Sequence, residues 1–282
     1  MARWKKPTMP RFSKVQESNG PGLLFILVAL VAVAVAGARL LGFGPGQGLE
    51  TVQTRIAPPP TAPTPAPAPP ASQPVTPERS TATVVVYHTH ATENYGPGEP
   101  HARDGRPGHV VEVGEAMAQS LEGRGLRVVH HTAVYDYPRW GEAYANAAQA
   151  VSTLIREQGS VAAVIDIHRD AIAQEVGREF TTATVGGRPV ARILLVVGDQ
   201  NNPYARENTA FAEALKAKMD ALYPGLSRGI RVQASDYNGR LHPRSVQAFI
   251  GDQRYNTVEE AREAARMLAH AVSEVLREQG GV

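Results

Sequence analysis

VVVYHTHATENY (residues 84–95) and AAVIDIHRDA (162–171) each run a β-branched, apolar segment straight into a histidine-bearing turn. A short apolar run bounded by polar residues reads as a strand buried on both faces, the kind that fills a parallel sheet. In an open α/β sheet, side chains at the carboxyl ends of the strands face a common crevice. On this reading His88, His90, Glu93 and His168 converge, although about 80 residues separate them in the chain.

Working outward, short β-branched runs alternate with longer helical periods. The pattern predicts a strand at 83–89, a helix at 110–123 ended by Gly123 and Gly125, a strand at 126–132, a helix at 142–157 and a strand at 162–168. A hairpin turns at Gly186 and Gly187, and its second arm, ARILLVVG (191–198), is apolar on both faces like a central strand. A helix at 204–222 and strands at 229–234 and 246–251 follow. The last helix, 257–278, opens on the capping-box pattern Thr257-Val258-Glu259-Glu260. Strands alternating with helices predict one α/β domain over 83–282, with three layers and a mostly parallel central sheet. No internal repeat is present.

Upstream the composition changes twice. A basic tail, residues 1–21, carries Arg3, Lys5, Lys6, Arg11 and Lys14 against the single acid Glu17. From Gly22 to Ala38 no charged residue occurs, and with Leu40 and Leu41 the stretch approaches the roughly 20 residues that span a bilayer. An A-x-A pattern near Ala38 resembles a signal cleavage site, but the apolar run is longer than most signal h-regions, so 22–41 is read as a retained anchor. The basic flank places the tail in the cytoplasm and the rest of the chain outside. Residues 42–82 include APPPTAPTPAPAPPASQP, which favours extended polyproline II and builds no core; it is read as a spacer.

The formal net charge is +2 with acids and bases interleaved, which gives no basic face for nucleic acid. With no cysteine, any metal must be held by imidazole and carboxylate. His88 and His90 lie two apart and share a side if the strand continues through them, so either can offer a ring nitrogen to a metal. A lone strand-end histidine is usually only hydrogen-bonded, but here two occur with Glu93 close by. In D-I-H-R-D, Asp166 or Asp170 is placed to hold the His168 ring, and Arg169 to anchor a carboxylate or a polarised carbonyl. Glu112, in the first turn of a helix, can point into the crevice or merely complement the helix dipole. His130 and His131 point to opposite faces, so at most one of them can line the crevice, and neither is read as functional.

The motifs Y-H-T-H-A-T-E-N-Y, V-V-E-V-G-E-A-M-A-Q-S-L-E-G-R-G-L-R-V-V-H-H-T, Y-D-Y-P, D-I-H-R-D-A, V-V-G-D-Q-N-N-P, Y-P-G-L-S-R-G-I and N-T-V-E-E-A occur in this order. Together they resemble the stage II sporulation protein P family across residues 83 to 278. The resemblance implies a zinc-dependent cell-wall hydrolase of endospore-forming bacteria, similar in fold to the zinc N-acetylmuramoyl-L-alanine amidases and held by an N-terminal membrane helix. Its implied substrate is peptidoglycan, cut between glycan and stem peptide during forespore engulfment. Its implied partners are a lytic transglycosylase and a membrane scaffold protein.

Carried across by motif, the resemblance puts the Zn2+ ligands at His90, Glu93 and His168, with His88 and Glu112 as alternatives. One departure stands out. Relatives usually carry a glutamate general base shortly before the N-T-x-x-E-A motif, and with Gly251 aligned that position is Phe249. A phenyl ring transfers no proton, and such transfer is worth about 10²–10⁴-fold. The expectation is therefore an amidase in which Asp252, Glu93 or Glu112 replaces the base, with Arg169 and Asp170 also in the catalytic set; the alternative is a metal-retaining domain that binds wall or partners but hydrolyses slowly.

Overall fold

The computed structural model describes residues 82–281. The expected tail, the 22–41 anchor and all but the last residue of the 42–82 spacer lie outside the described residues. Among those described, no helix is long and apolar enough to cross a membrane.

In chain order the first half comprises β1 (Thr83–Tyr87), α1 (His109–Glu122), β2 (Arg127–His130), α2 (Ala143–Gln158) and β3 (Val161–Asp170). There follow β4 (Thr182–Val185), β5 (Arg188–Ala191), β6 (Ile193–Gly198), α3 (Ala205–Leu222), β7 (Ser227–Gln233), β8 (Ser245–Asp252) and α4 (Val258–Glu278). Six strands form one sheet in the order β2-β1-β3-β8-β6-β7, while β4 and β5 form a separate antiparallel pair. Every pairing in the large sheet is parallel except β8 with β6, where the direction reverses.

The helices cover both faces because the strands are apolar on both. Val84, Val86, Ile165, Ile167, Leu195 and Ile250 pack with residues of α1, α3 and α4. On the opposite face Val85, Tyr87 and Val164 pack under Ala147 and Val151 of α2. The result is a three-layer α/β domain, as the alternation of elements predicts. α4 buries Ala261, Ala264, Ala265, Leu268, Val272 and Val275, a stripe at helical spacing. Its start is closed by a reciprocal pair: the Thr257 hydroxyl accepts from the Glu260 backbone N–H at 3.2 Å, and the Glu260 carboxylate accepts from the Thr257 N–H at 3.3 Å.

One expected element divides. ARILLVVG is not a single hairpin arm: it breaks at Arg192, so that β5 ends at Ala191 and β6 enters the main sheet at Ile193. The break is held by the Arg192 guanidinium, which donates to the carbonyls of Gly225 and Ser227 at 2.9 and 3.0 Å.

Candidate metal centre

β1 and β3 run parallel side by side and end at the same edge of the sheet. Beyond Tyr87 the chain leaves β geometry, and two aspartates shape the loop that follows. The Asp166 carboxylate accepts from the Thr89 N–H at 2.8 Å and the Thr89 hydroxyl at 2.6 Å. That of Asp136 accepts from the Thr92 N–H at 3.2 Å and its hydroxyl at 2.6 Å. The start of α1 closes the loop from below: Gly108 donates to the Ala91 carbonyl at 2.7 Å and Val110 to that of Glu93 at 3.1 Å. A side chain at Gly108 would meet the Glu93 carbonyl oxygen at 2.3 Å, so only glycine allows this approach.

Held in this way, His90, Glu93 and His168 each turn a ligand atom to a common point. All three are buried, and the atoms lie within 4.8 Å of one another. The His168 Nδ1 edge faces Glu93 Oε2 at 3.5 Å, while its Nε2 faces Asp166 Oδ2 at 3.1 Å. Burial pulls the His168 imidazole down, but the Asp166 and Glu93 carboxylates outweigh it and hold it protonated, up to about 10. Burial pushes Glu93 up, and the charges of His168 and Arg169 bring it below the usual range. His90, desolvated and beside His168, is lowered to about 4 and so is neutral at physiological pH.

This donor set fits a metal ion. Two imidazoles and a carboxylate are the protein ligands of many catalytic zinc sites, which keep a further position open. Asp166 stands where a metal-bound histidine needs an acceptor for its other ring N–H. Glu93 and Asp166 put two carboxylates on the His168 ring, a local negative charge that suits a cation.

The remaining candidates lie elsewhere. His88 is on the opposite face of the sheet, its Nδ1 3.2 Å from the Ile167 carbonyl oxygen and its Nε2 2.9 Å from His130 Nε2. It does not share a side with His90 because β1 stops at Tyr87. A side chain at Gly114 would come within 2.5 Å of the His88 ring, so α1 crosses here only on a glycine. Glu112 is half-exposed and lies 3.7 Å from Arg262. Asp252 is fully buried with its carboxylate occupied by the backbone N–H groups of Ile172 and Arg254, both at 2.8 Å. Asp170 pairs with Arg228 at 2.9 Å and makes no bond to the His168 ring; Asp166 does that instead. The Arg169 guanidinium is committed to the carbonyls of Asn94 and Pro100, at 3.3 and 3.0 Å, while its backbone N–H donates to Glu93 Oε2 at 3.0 Å. Its place is therefore behind Glu93, bracing that side chain and the loop.

Several residues of the site were not singled out by the sequence. Trp140 stacks on the His90 ring, centroids 3.9 Å apart and planes within 2°, and Tyr144 meets the same ring edge-on at 5.4 Å. Gln247 donates to Asp166 at 3.1 Å and to the Tyr144 hydroxyl at 3.0 Å. Phe249, which the sequence did single out, pairs with His168 across β3 and β8 and lies over its ring at 4.9 Å. The alternation of strand β8 puts Gln247 and Phe249 on one face and is a usable signal; nothing in the sequence links Trp140 or Asp136 to His90 or Thr92.

Fold and site together define an α/β domain carrying a buried His-Glu-His set of metal-ligand type at the carboxyl edge of two parallel strands. The chain belongs to the stage II sporulation protein P (SpoIIP) family, whose family model matches residues 50–273. It is 30% identical over 208 residues to the stage II sporulation protein P of Bacillus subtilis (strain 168), a match that covers 68% of this chain. The match spans 50% of that relative's length. Among solved structures the domain resembles N-acetylmuramoyl-L-alanine amidase AmiC2 of Nostoc punctiforme, at 15% identity and a TM-score of 0.47, covering 72% of this chain and 98% of the other. It also resembles the CwlD amidase from Clostridioides difficile, solved in complex with the GerS lipoprotein, at 10% identity and a TM-score of 0.47, covering 70% and 97%.

Proposed function

We propose that this chain is a zinc-dependent hydrolase of peptidoglycan that cuts the amide between muramic acid and the stem peptide during sporulation. The observation that carries the reading is the buried His90–Glu93–His168 set, backed by Asp166, in a chain of the SpoIIP family. Zinc bound there would polarise the amide carbonyl and bring its water toward neutral pKa. The protein's own part is positioning: Asp166 orients His168, Arg169 braces Glu93, and Trp140 with Tyr144 shields the His90 ring from water. The family resemblance extends the proposal to engulfment, to a lytic transglycosylase and a membrane scaffold as partners, and to anchorage by 22–41 with the domain outside the cytoplasm.

One observation favours a second reading. Phe249 lies against His168 at the position where the family resemblance implies a glutamate base, and Asp252 is tied to backbone, which supports a metal-retaining domain of low turnover. Both are tested on purified full-length protein and isolated sacculi. The hydrolase should release wall fragments with zinc and stop with chelator, and His168→Ala should lose both the metal and the release. Stoichiometric zinc without release would support the second reading; His168→Ala that retains zinc would sink the ligand assignment.

A further inference from the structure

Trp140 is the half-exposed aromatic ring that touches the donor set. One face of its indole lies flat on His90, and 46% of the residue is exposed, so part of the ring not covered by His90 is open. His101 stands at 77° to it, 4.5 Å between centroids, and is tied in turn to Arg169 at 3.0 Å. The indole N–H has no hydrogen-bond partner among the described residues. Three residues earlier Tyr137, also half-exposed, packs its ring on the backbone of Gly105 and holds the 96–108 loop beside this surface. Exposing a tryptophan face costs hydrophobic burial, and here a continuous packing chain joins that face to a ring of the metal set.

We infer that the exposed part of the Trp140 indole is a stacking platform for a saccharide ring of the substrate, a subsite that sets the glycan against the donor set. The inference rests on the peptidoglycan reading above. A ligand on Trp140 lies next to any group that reaches His90, because the two rings are stacked. In peptidoglycan, a short lactyl ether separates the stem-peptide amide from the muramic acid ring, which brings that ring beside any site that holds the amide. The chemistry of the surface also selects the sugar. A pyranose presents a flat face of slightly positive C–H groups that suits the negative face of an indole, and hydroxyls on its edge suit an N–H donor on the rim. An extended peptide would need several backbone donors and acceptors, and the platform offers one.

The test uses full-length protein carrying Trp4→Phe, which leaves Trp140 as the sole tryptophan. Three probes are titrated against its fluorescence: glycan strands stripped of stem peptides, free stem peptide, and intact strands. The platform predicts saturable change in Trp140 emission with stripped glycan, unaffected by chelator. Trp140→Ala, followed by co-sedimentation with the same strands, should bind about tenfold more weakly, and Trp140→Tyr should recover most of the loss. Binding by the chelator-treated parent excludes loss of metal as the cause. No emission change with stripped glycan, unchanged binding by Trp140→Ala, or a change caused by stem peptide alone would each overturn the assignment. Sacculus hydrolysis is scored separately. Glycan binding at Trp140 without hydrolysis keeps the platform and sinks the hydrolase, and hydrolysis without a glycan effect at Trp140 does the reverse.

Discussion

His168 keeps its proton against complete burial because two carboxylates flank it, one at each ring nitrogen. A metal can take Nδ1 only when that proton leaves, whereas His90 is already neutral and Glu93 already ionised. Calorimetry near pH 6, below the titration of a zinc-bound water, in buffers of different ionisation enthalpy should therefore show about one proton released from His168 per zinc bound; zero release would mean that His168 is neutral before zinc binds. The neighbouring Phe249 makes a second residue-scale prediction. If no other acid serves as base, Phe249→Glu should raise sacculus turnover, by up to about 10²–10⁴-fold. An already fast parent, unimproved or harmed by the added charge, would show that another group does the work. The family resemblance put the ligands at His90, Glu93 and His168, with His88 and Glu112 as alternatives, because each lies in a short local motif. The motifs left Asp252 and Arg169 open to a catalytic role because the groups that occupy them, the Ile172 N–H and the Asn94 and Pro100 carbonyls, are distant in the chain.

At the scale of elements, the strands and helices were legible because burial on both faces leaves long β-branched runs and the helices carry strong apolar stripes. What escaped was the point where one strand becomes two, since Arg192 breaks the ladder through carbonyls supplied from the β7 side, beyond any local pattern. The capping box was legible because it is entirely local, and it has a measurable worth. Glu260 within it also pairs with Arg178 and accepts from Asn256 at 3.0 Å, so the start of α4 is tied to the loop after β8. Thr257→Ala should lower the unfolding free energy by about 1 kcal/mol. Urea denaturation checks this, and a shift within error would show that Glu260 and Asn256 hold the helix start without the threonine.

For the whole molecule, the topology proposed from the basic tail and uncharged segment puts residues 44 to 282 outside the membrane. Protease added to intact protoplasts should remove the folded domain, and its protection would refute that orientation. The reversal of the sheet between β8 and β6 bears on a different question, how relatives of this chain can vary. Because β3 ends and β6 begins at one edge, the excursion from 171 to 192 starts and finishes at that edge, with Val190 and Ala191 at its base packed into the main core. Asp252 pins one end of it at Ile172, and its far tip is the exposed Gly186–Gly187 turn, where both glycines adopt positive φ. Lengthening such a surface tip costs little closure entropy. The turn at Gly186–Gly187 is thus the part of the excursion that can lengthen without disturbing the buried residues at its base.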